Sequence, residues 1–358
     1  MPGTDAGLAV AFPARARSEA PAGSFIVGPL YDSVFFIFTP LLALALGGAL
    51  SLTPLSRAVC ELNGETESCV SLFSGVFTAA HLVIVFFRSH GDRTIFRQHP
   101  KRFILAPLAL FGAMMVSTWM LVFVFVLAVW WDVYHSSLQT FGLGRLYDRR
   151  AGNDADAGRG LDRWMNLLIY VGPIVGGVSL SAHVVHFYKF EGVGSAFFSA
   201  VPEFTETHAG LFNRAMILLG AAGLAAYAWG YARLIRAGYR VSWQKAALLS
   251  STAACSLFAW GFNSFGQAFF IMNFFHSLQY FALIWWSENK NIAAVLGLKG
   301  SARAAALPLF VLLAFAYGVW AETFGQTTHA AMSLLLTVSI LHFWYDGFIW
   351  SVRKGQLS

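Results

Sequence analysis

The sequence predicts an all-α protein, a polytopic bundle of about ten transmembrane helices. Of its 358 residues, 57% are hydrophobic and only 12% are charged, and the mean hydropathy is +0.60. Apolar runs close to the roughly 20 residues that a helix needs to span a bilayer recur along the chain between short polar segments. Composition and run length together indicate an integral membrane protein and exclude a soluble globular domain.

The apolar runs form one membrane domain, residues 31–352, between two polar tails, residues 1–30 and 353–358. The first tail contains Pro13 and Pro21 and has no short apolar core followed by a small-residue cleavage site. We therefore expect a flexible cytoplasmic tail and not a secretory signal. In chain order, the expected spans are 31–51, 70–88, 103–119, 120–143, 163–186, 210–232, 246–262, 265–287, 304–321 and 329–351.

The basic residues predict the orientation, because short loops rich in Lys and Arg stay on the cytoplasmic side. With the amino terminus inside, 21 of the 24 basic residues fall on inner segments, and only Arg57, Lys189 and Arg214 fall outside. Both termini are therefore expected in the cytoplasm, and the expected location is a bacterial inner membrane. The pI near 9.3 follows from this topology and indicates no nucleic-acid partner.

The cysteines predict a structural role and not redox chemistry. Cys60 and Cys69 flank the first outer loop, where a disulfide can form in an oxidising compartment; two free thiols are the alternative. Cys255 lies within a predicted helix. The chain contains no CxxC, GxGxxG or GxxxxGK[ST] motif, so we expect no nucleotide-binding or thiol-relay module.

Four histidines lie deep in apolar segments, each seven to twelve residues before the charged stretch that ends its segment. An ionisable group at the centre of a membrane helix costs about 2.5–3.5 kcal/mol on insertion scales, so four at a similar depth indicate a site. Asp132 and Asp346 are the only acids deep in the predicted spans, and each lies one turn from a histidine. The four histidines are His81, His135, His276 and His342.

Helical geometry adds two amides to this set, because residues three or four apart share a face. Gln139 follows His135 by one turn, and Gln279 follows His276 in the same way. The segments around them, WWDVYHSSLQTF and IMNFFHSLQYFA, resemble each other and run in the same predicted direction. Alternate helices are thus expected to present similar polar faces to one centre.

We expect this centre to bind metal, because His and Asp side chains that converge in hydrocarbon are stabilised around a cation. A proton or ion pathway and a purely structural hydrogen-bond network are the alternatives. The expected metal ligands are His81, His135, His276, His342, Asp132 and Asp346. The expected catalytic residues are Asp132, Asp346, Gln139 and Gln279, with the two amides acting from behind the ligands.

The other histidines are expected to lie outside this centre. His90 points away from His81 on an ideal helix, unless the helix breaks near Ser89 and Gly91, and His99 is expected to be solvated in a basic loop. One outer patch is a candidate for a second metal site: His183, His186, His208 and His329.

Imidazole and carboxylate ligands without a thiolate suit iron, zinc, manganese or copper, and an open-sided combination is typical of non-haem iron that activates O2. On the strength of His135, His276 and the HFWYD stretch with His342 and Asp346, the site resembles those of integral-membrane, histidine-cluster non-haem iron oxygenases and desaturases. It is loosely similar to the Brp/Blh carotenoid-cleaving proteins. The resemblance is one of site type and implies one or two non-haem iron ions with O2 as co-substrate.

Aromatic residues, 16% of the chain, surround these histidines and would form a long apolar pocket around a metal. The expected function is therefore a membrane-embedded iron oxidoreductase, an oxygenase, hydroxylase or desaturase, acting on a lipid, fatty acyl chain or isoprenoid. A hydroxylase or desaturase would need an external electron donor, whereas a dioxygenase would not. A haem-binding redox protein and a proton- or cation-coupled transporter are the alternatives.

Overall fold

The computed structural model describes residues 24–62 and 65–350, and these are nearly all helical; helices make up 84%. The one sheet among them is a two-stranded antiparallel hairpin. The all-α prediction is therefore confirmed. Residues 1–23 of the predicted first tail and all of 353–358 lie outside the described residues.

The first half of the chain forms eight helices and the hairpin. In order, its elements are α1 (Pro29–Asp32), a π-helical turn (Ser33–Ile37), α2 (Thr39–Ser51), a 3-10 turn (Pro54–Arg57), β1 (Val59–Leu62), β2 (Glu65–Ser68), α3 (Cys69–Val83), α4 (Val85–Ser89), α5 (Arg93–Gln98), α6 (Pro100–Val116), α7 (Thr118–Arg150) and α8 (Arg159–Gly176).

The regular elements of the second half are all helices and helical turns. Its elements are α9 (Leu180–Val185), a 3-10 turn (His186–Phe190), α10 (Glu191–Phe198), α11 (Ala200–Thr207), α12 (Ala209–Arg236), α13 (Trp243–Phe262), α14 (Phe265–Val295), a 3-10 turn (Gly300–Ala305), α15 (Ala306–Phe324) and α16 (His329–Ile349).

Polar caps set where several of these helices begin. Asp92 caps α5, Ser117 caps α7, Ser242 caps α13 and Thr328 caps α16, each through a side-chain oxygen that accepts from a backbone N–H of the first turn. Such N–H groups have no partner inside the helix, so each cap stabilises its helix by about 0.5–2 kcal/mol. Two of the helices fixed in this way, α7 and α16, carry residues of the predicted site.

Six helical stretches of the described chain are long and apolar enough to cross a membrane. A bent pair at the start, Pro29–Ile37 with Thr39–Ser51, would be a seventh if its two halves, at 59° to each other, form one span. The protein is thus a candidate multi-pass membrane protein, as predicted. The six are Cys69–Ser89, Thr118–Arg150, Ala209–Arg236, Phe265–Val295, Gly300–Phe324 and His329–Ile349.

The prediction of about ten spans is not confirmed, because the helices in 103–119, 163–186 and 246–262 do not meet the same criteria. Helix α6 has only 17 residues, and α13 contains a lysine, three serines and one threonine that lower its hydropathy. Helix α8 starts with charged residues and ends at Gly176. Gly177 follows in an extended conformation and lies so close to the backbone of Trp260 that an added Cβ would be 2.5 Å from its carbonyl oxygen.

Helix α14 is the centre of the bundle. Of the 18 residues in its most apolar stretch, 78% are buried, whereas none are buried in the corresponding stretch of α12, which lies at the periphery. Helix α14 packs against α2, α3, α13 and α15, and α16 packs against α3, α4, α6 and α7. The four helices that carry the deep histidines, α3, α7, α14 and α16, therefore enclose one interior.

The hairpin is covalently joined to the start of α3. Cys60 on β1 and Cys69 at the first position of α3 form a disulfide, the outcome that the sequence allowed. Cys255 is a buried free thiol. The bond fixes the entry of the helix that carries His81 and supplies no chemistry near it.

A second buried polar region joins α7, α8 and α13 near the carboxyl end of α7. Arg145 and Lys245, 3% and 4% exposed, share the carboxylates of Asp148 and Asp162 at 2.6–2.8 Å. We call these four residues the charge network. The remaining carboxylate oxygens accept hydrogen bonds from tyrosine hydroxyls: Tyr239 donates to Asp148, and Tyr227 and Tyr231 donate to Asp162.

Candidate metal centre

The four deep histidines meet at one point. One ring nitrogen from each of them lies within 4.8 Å of one nitrogen from every other, and all four residues are at most 2% exposed. The Nε2 atoms of His135 and His342 are 3.1 Å apart. We call this group the histidine cluster: His81 on α3, His135 on α7, His276 on α14 and His342 on α16.

Two of the imidazole rings are each held by a hydrogen bond to Nδ1, the ring nitrogen that faces away from the cluster. His342 Nδ1 lies 3.1 Å from the backbone oxygen of Leu82, which can only accept, so this nitrogen carries the proton. His81 Nδ1 lies 3.0 Å from the hydroxyl of Ser277. Both rings therefore direct Nε2 inward, and the second of these bonds also joins α3 to α14.

Three buried imidazole nitrogens in the cluster have no hydrogen-bond partner among the described residues: His81 Nε2 and both ring nitrogens of His276. Buried polar atoms are almost always paired, and leaving one without a partner costs about 1–3 kcal/mol. The rings pack edge to face, with centroids of neighbouring rings 4.7–5.1 Å apart. The cluster is thus rigid and has unused lone pairs or protons.

Asp346 lies beside the cluster on α16. Its Oδ2 is 3.8 Å from His135 Nε2 and 3.9 Å from His342 Nε2. Its Oδ1 accepts hydrogen bonds from the Tyr280 hydroxyl at 2.7 Å and from Trp350 Nε1 at 2.8 Å. The two donors hold one carboxylate oxygen, and the other oxygen points to the histidines.

A buried ion pair supports this carboxylate from behind. The guanidinium of Arg88 lies 4.0 Å from the centre of the Trp350 ring, pairs with Glu288 and donates to the backbone oxygen of Ile349 at 3.1–3.2 Å. This arrangement fixes the ring whose N–H holds Asp346. This pair could not be predicted from the sequence, because no local pattern joins residues 200 positions apart.

The structure does not bring Asp132 into this group. No hydrogen bond or ion pair connects it to a cluster histidine within the described residues. Asp346 follows His342 by four residues, whereas Asp132 precedes His135 by three, so the two acids lie on opposite sides of their histidines along the helix axis.

The two predicted amides position helices and do not contact the imidazole rings. Gln139 Nε2 donates to the backbone oxygen of His276 and to Gln279 Oε1, both at 3.0 Å. Gln279 Nε2 donates to the backbone oxygen of Phe36 at 2.8 Å. These bonds join α7 to α14 and α14 to the first bent pair, and Gln139 Oε1 stays buried without a partner in the described chain.

The other histidines lie apart from the cluster. His90 does so as expected: it lies at the end of α4, and its Nε2 is hydrogen-bonded to the backbone oxygen of Phe103. His99, predicted to be solvated, is half-buried, and its ring lies 4.9 Å from that of Phe348. Three histidines of the predicted outer patch, His183, His208 and His329, belong to no metal group among the described residues, and the side chain of His186 lies outside the described part of the structure. His183 packs against aromatic rings, His208 is half-buried against Phe204, and His329 bonds to the Met114 backbone oxygen.

Two cavities with shared wall residues lie near the cluster, and the smaller one is lined by His135. A small one, about 70 Å³, is bounded by His135, Gln139, Tyr280 and Asp346. That volume holds about two water-sized molecules, at roughly 30 Å³ each. A larger one, about 350 Å³, shares the Asp346 wall and extends along α7.

No family model, no curated protein and no solved structure matches this chain. Any statement of function therefore depends on the chemistry of the site.

Proposed function

We propose that the histidine cluster and Asp346 hold a single non-haem iron ion, and that the protein is a membrane-embedded oxidoreductase that uses O2 on a lipid-soluble substrate. The observation that carries this proposal is the convergence of four buried imidazoles, three of whose nitrogens have no partner in the described chain. A metal ion would bind His81 Nε2 and the unprotonated nitrogen of His276 together.

The spacing of the donor atoms suits one ion. Two nitrogens that bind one metal at about 2.0–2.1 Å lie about 3.0–3.4 Å apart when adjacent and about 4.2 Å apart when opposite. His135 and His342 match the first separation at 3.1 Å. The widest separation in the cluster, at most 4.8 Å, would close by no more than about 0.6 Å to match the second.

One ion is also favoured over two by the number of carboxylates. Paired metal centres lie about 3.5–4 Å apart and need ligands on both ions. Here only Asp346 adjoins the four imidazoles, since Asp132 does not reach them. Neutral imidazoles with one carboxylate, and no thiolate, suit iron in its divalent state.

The geometry disfavours haem. Two axial histidines of a haem lie on opposite faces of the macrocycle, which separates their nitrogens by about 4 Å and fills the space between them. The 3.1 Å contact between His135 and His342, and the edge-to-face packing of all four rings, leave no plane for a porphyrin.

Bound iron would supply O2 activation, and the residues of the chain would do the rest. His342 and His81 are oriented by Leu82 and Ser277 to present Nε2 as the donor. The small cavity beside His135 and Asp346 gives a molecule of the size of O2 a place next to the donors. Because one ion is favoured, we propose a dioxygenase reaction, in which both oxygen atoms enter the product and no electron donor is needed; a hydroxylase or desaturase with an external donor is the alternative.

Elemental analysis and an optical spectrum of the purified protein test the metal. We expect about one iron per chain and no Soret band. Zinc alone would replace the proposal by a hydrolase, a Soret band would replace it by a haem protein, and a metal-free protein would favour a transporter. With isotopically labelled O2, a dioxygenase puts both labelled atoms into product, whereas a hydroxylase puts in one.

We further propose that both termini lie in the cytoplasm, as the basic residues predict. Reporter fusions after residue 154 and after residue 354 should both read cytoplasmic, and a fusion near residue 65 should read external. An external carboxy terminus would contradict this orientation.

A further inference from the structure

A third cavity, about 340 Å³, lies between α12 and α13 and shares no lining residue with the two cavities near the histidine cluster. One wall is a face of α12 from Leu224 to Ile235, and the facing wall is a face of α13 from Ser242 to Ala253. Each wall advances by 11 residues, so at 1.5 Å per residue each is about 16 Å long. The hydrocarbon layer of a bilayer is roughly 30 Å thick, so the cavity has the length of one leaflet.

The two ends of this cavity differ in polarity. Ile169, Leu224 and Ala253 form the end that lies farthest from the last turn of α12. At the other end, Tyr239 and Lys245 line the cavity. The ammonium of Lys245 already faces the two aspartates of the charge network, so its charge is balanced. The cavity therefore changes from apolar to polar along its length, as a lipid does from its acyl chain to its head group.

Two exposed arginines lie at the polar end. Arg240 stands between two lining residues, Tyr239 and Val241, and its backbone N–H and carbonyl are both hydrogen-bonded to the side chain of Asn153. Arg236 is the last residue of α12. Both arginines are exposed, and neither forms an ion pair with a carboxylate of the described residues. The polar end thus carries an excess of positive charge that an anionic group would balance.

The cavity is open on the side that faces away from the bundle. Helix α12 packs mainly against α8, and the residues of its most apolar stretch are not buried. Leu224, Ile235 and Val241 line the cavity and are exposed, as is Ala246 on the facing wall. In a membrane, apolar side chains along an open groove of this kind contact lipid, so a lipid chain can enter from the side.

We propose that the cavity between α12 and α13 binds one acyl chain of an anionic phospholipid, whose phosphate accepts charge-assisted hydrogen bonds from Arg236 and Arg240. Basic residues at a membrane surface attract anionic head groups, and guanidinium groups match phosphate oxygens in geometry. The acyl chain extends from these arginines toward Ile169 and Ala253, and it joins the peripheral helix α12 to α13. The lipid site is independent of the proposed iron, because it contains no residue of the histidine cluster.

Binding titrations of the full-length protein in a neutral detergent, with bound lipid counted by native mass spectrometry, test this proposal. The probes are phosphatidylglycerol, phosphatidylcholine with the same acyl chains, and water-soluble glycerol phosphate. We expect one tightly bound phosphatidylglycerol per chain and weaker binding of the other two. Arg236→Gln/Arg240→Gln should weaken phosphatidylglycerol binding by about 30-fold, since each arginine near the surface contributes about fivefold. Arg93→Gln/Arg97→Gln, at two exposed arginines of α5, removes the same charge and should change nothing.

A second variant fills the cavity without removing charge. Ala246→Phe places a ring at an exposed lining position and should weaken phosphatidylglycerol binding by about tenfold, the loss expected when about two methylene groups are displaced. Ala225→Phe, at an exposed alanine of α12 that does not line the cavity, is its control.

Three results would overturn the lipid site. The first is equal binding of the two phospholipids, or binding of glycerol phosphate as tight as that of phosphatidylglycerol. The second is unchanged phosphatidylglycerol binding in the double arginine variant or in Ala246→Phe. The third is a lipid-free dimer that Ala246→Phe dissociates, because a second copy of the chain would then cover this face.

Discussion

The histidine cluster and the charge network are both buried groups of polar side chains, but only in the charge network does each charged group face partners of opposite charge. In the network, two cations face two carboxylates, and all four carboxylate oxygens accept hydrogen bonds from Arg145, Lys245 or a tyrosine. In the cluster, three imidazole nitrogens have no partner in the described chain. Burial therefore leaves balanced charges in the charge network, whereas it leaves nitrogens without partners in the histidine cluster.

A balanced network stabilises contacts between helices and needs no ligand. A set of converging donors with unused lone pairs is destabilising until something binds to it. This difference predicts that substitutions in the two regions will separate metal binding from folding.

The largest expected effect is loss of iron from His342→Ala. Since His342 supplies one of four converging nitrogens, iron should fall from about one per chain to nearly none, and O2-dependent activity should disappear. The protein should still insert into the membrane, because the substitution replaces a buried imidazole by an apolar methyl group. Metal analysis with a membrane-insertion assay measures both, and His208→Ala, at a half-buried histidine outside the cluster, is the control. Full iron occupancy in the His342 variant would make the cluster structural.

The opposite pattern is expected from Lys245→Met in the charge network. It leaves two aspartates facing Arg145 alone, and breaking a buried ion network in this way costs about 3–5 kcal/mol of folding free energy. Unfolding in detergent should show this loss, while iron per folded chain stays unchanged. Lys290→Met, at an exposed lysine, is the matched control. Adding Asp148→Asn to the Lys245 variant should recover part of the stability; if it does not, charge balance is not what stabilises this region.

A smaller effect is expected from Asp346→Asn. The asparagine oxygen still accepts from Tyr280 and Trp350, so the side chain stays in place and only the charge is lost. Iron affinity should fall by about 10- to 100-fold, the loss expected when a carboxylate at a metal site is replaced. Asp132→Asn tests the same change on an acid that is also one turn from a histidine but does not reach the cluster. An equal loss in the two variants, measured by competition with a chelator, would contradict the geometry.

The depth of the four histidines was predictable, because hydropathy marks the helices and the charged stretches mark their ends. Which acid joins them was not, because Asp132 and Asp346 both lie one turn from a histidine in sequence, and only the packing of the helices places Asp346 beside the cluster. The number of spans is not confirmed, for example at residues 163–186, which form one apolar run in the sequence, whereas α8 ends at Gly176 and Gly177 is extended.

The charge network was missed for a related reason. Sequence analysis counted Arg145 and Lys245 with the solvated basic residues of inner segments, yet both are buried and paired. The number of Lys and Arg residues on each side predicts the orientation of the chain in the membrane. It does not show which of these residues pair with a carboxylate from another helix. Tyr280 was noted only as one of many aromatics, and its hydroxyl turned out to hold Asp346.

The smallest effect, and the finest test of the difference between paired and unpaired groups, is expected from Tyr280→Phe. This change removes one of the two donors to Asp346 Oδ1 and leaves the Trp350 donor in place, so iron affinity should fall by about tenfold or less. Tyr345→Phe is the control: this tyrosine is next to Asp346 in sequence and fully buried, but its hydroxyl has no partner in the described chain. Removing an unpaired buried hydroxyl should leave iron affinity unchanged and leave stability equal or higher. Chelator competition and thermal unfolding of both variants measure these outcomes, and a larger loss of iron affinity in the Tyr345 variant would show that Asp346 is not held as described.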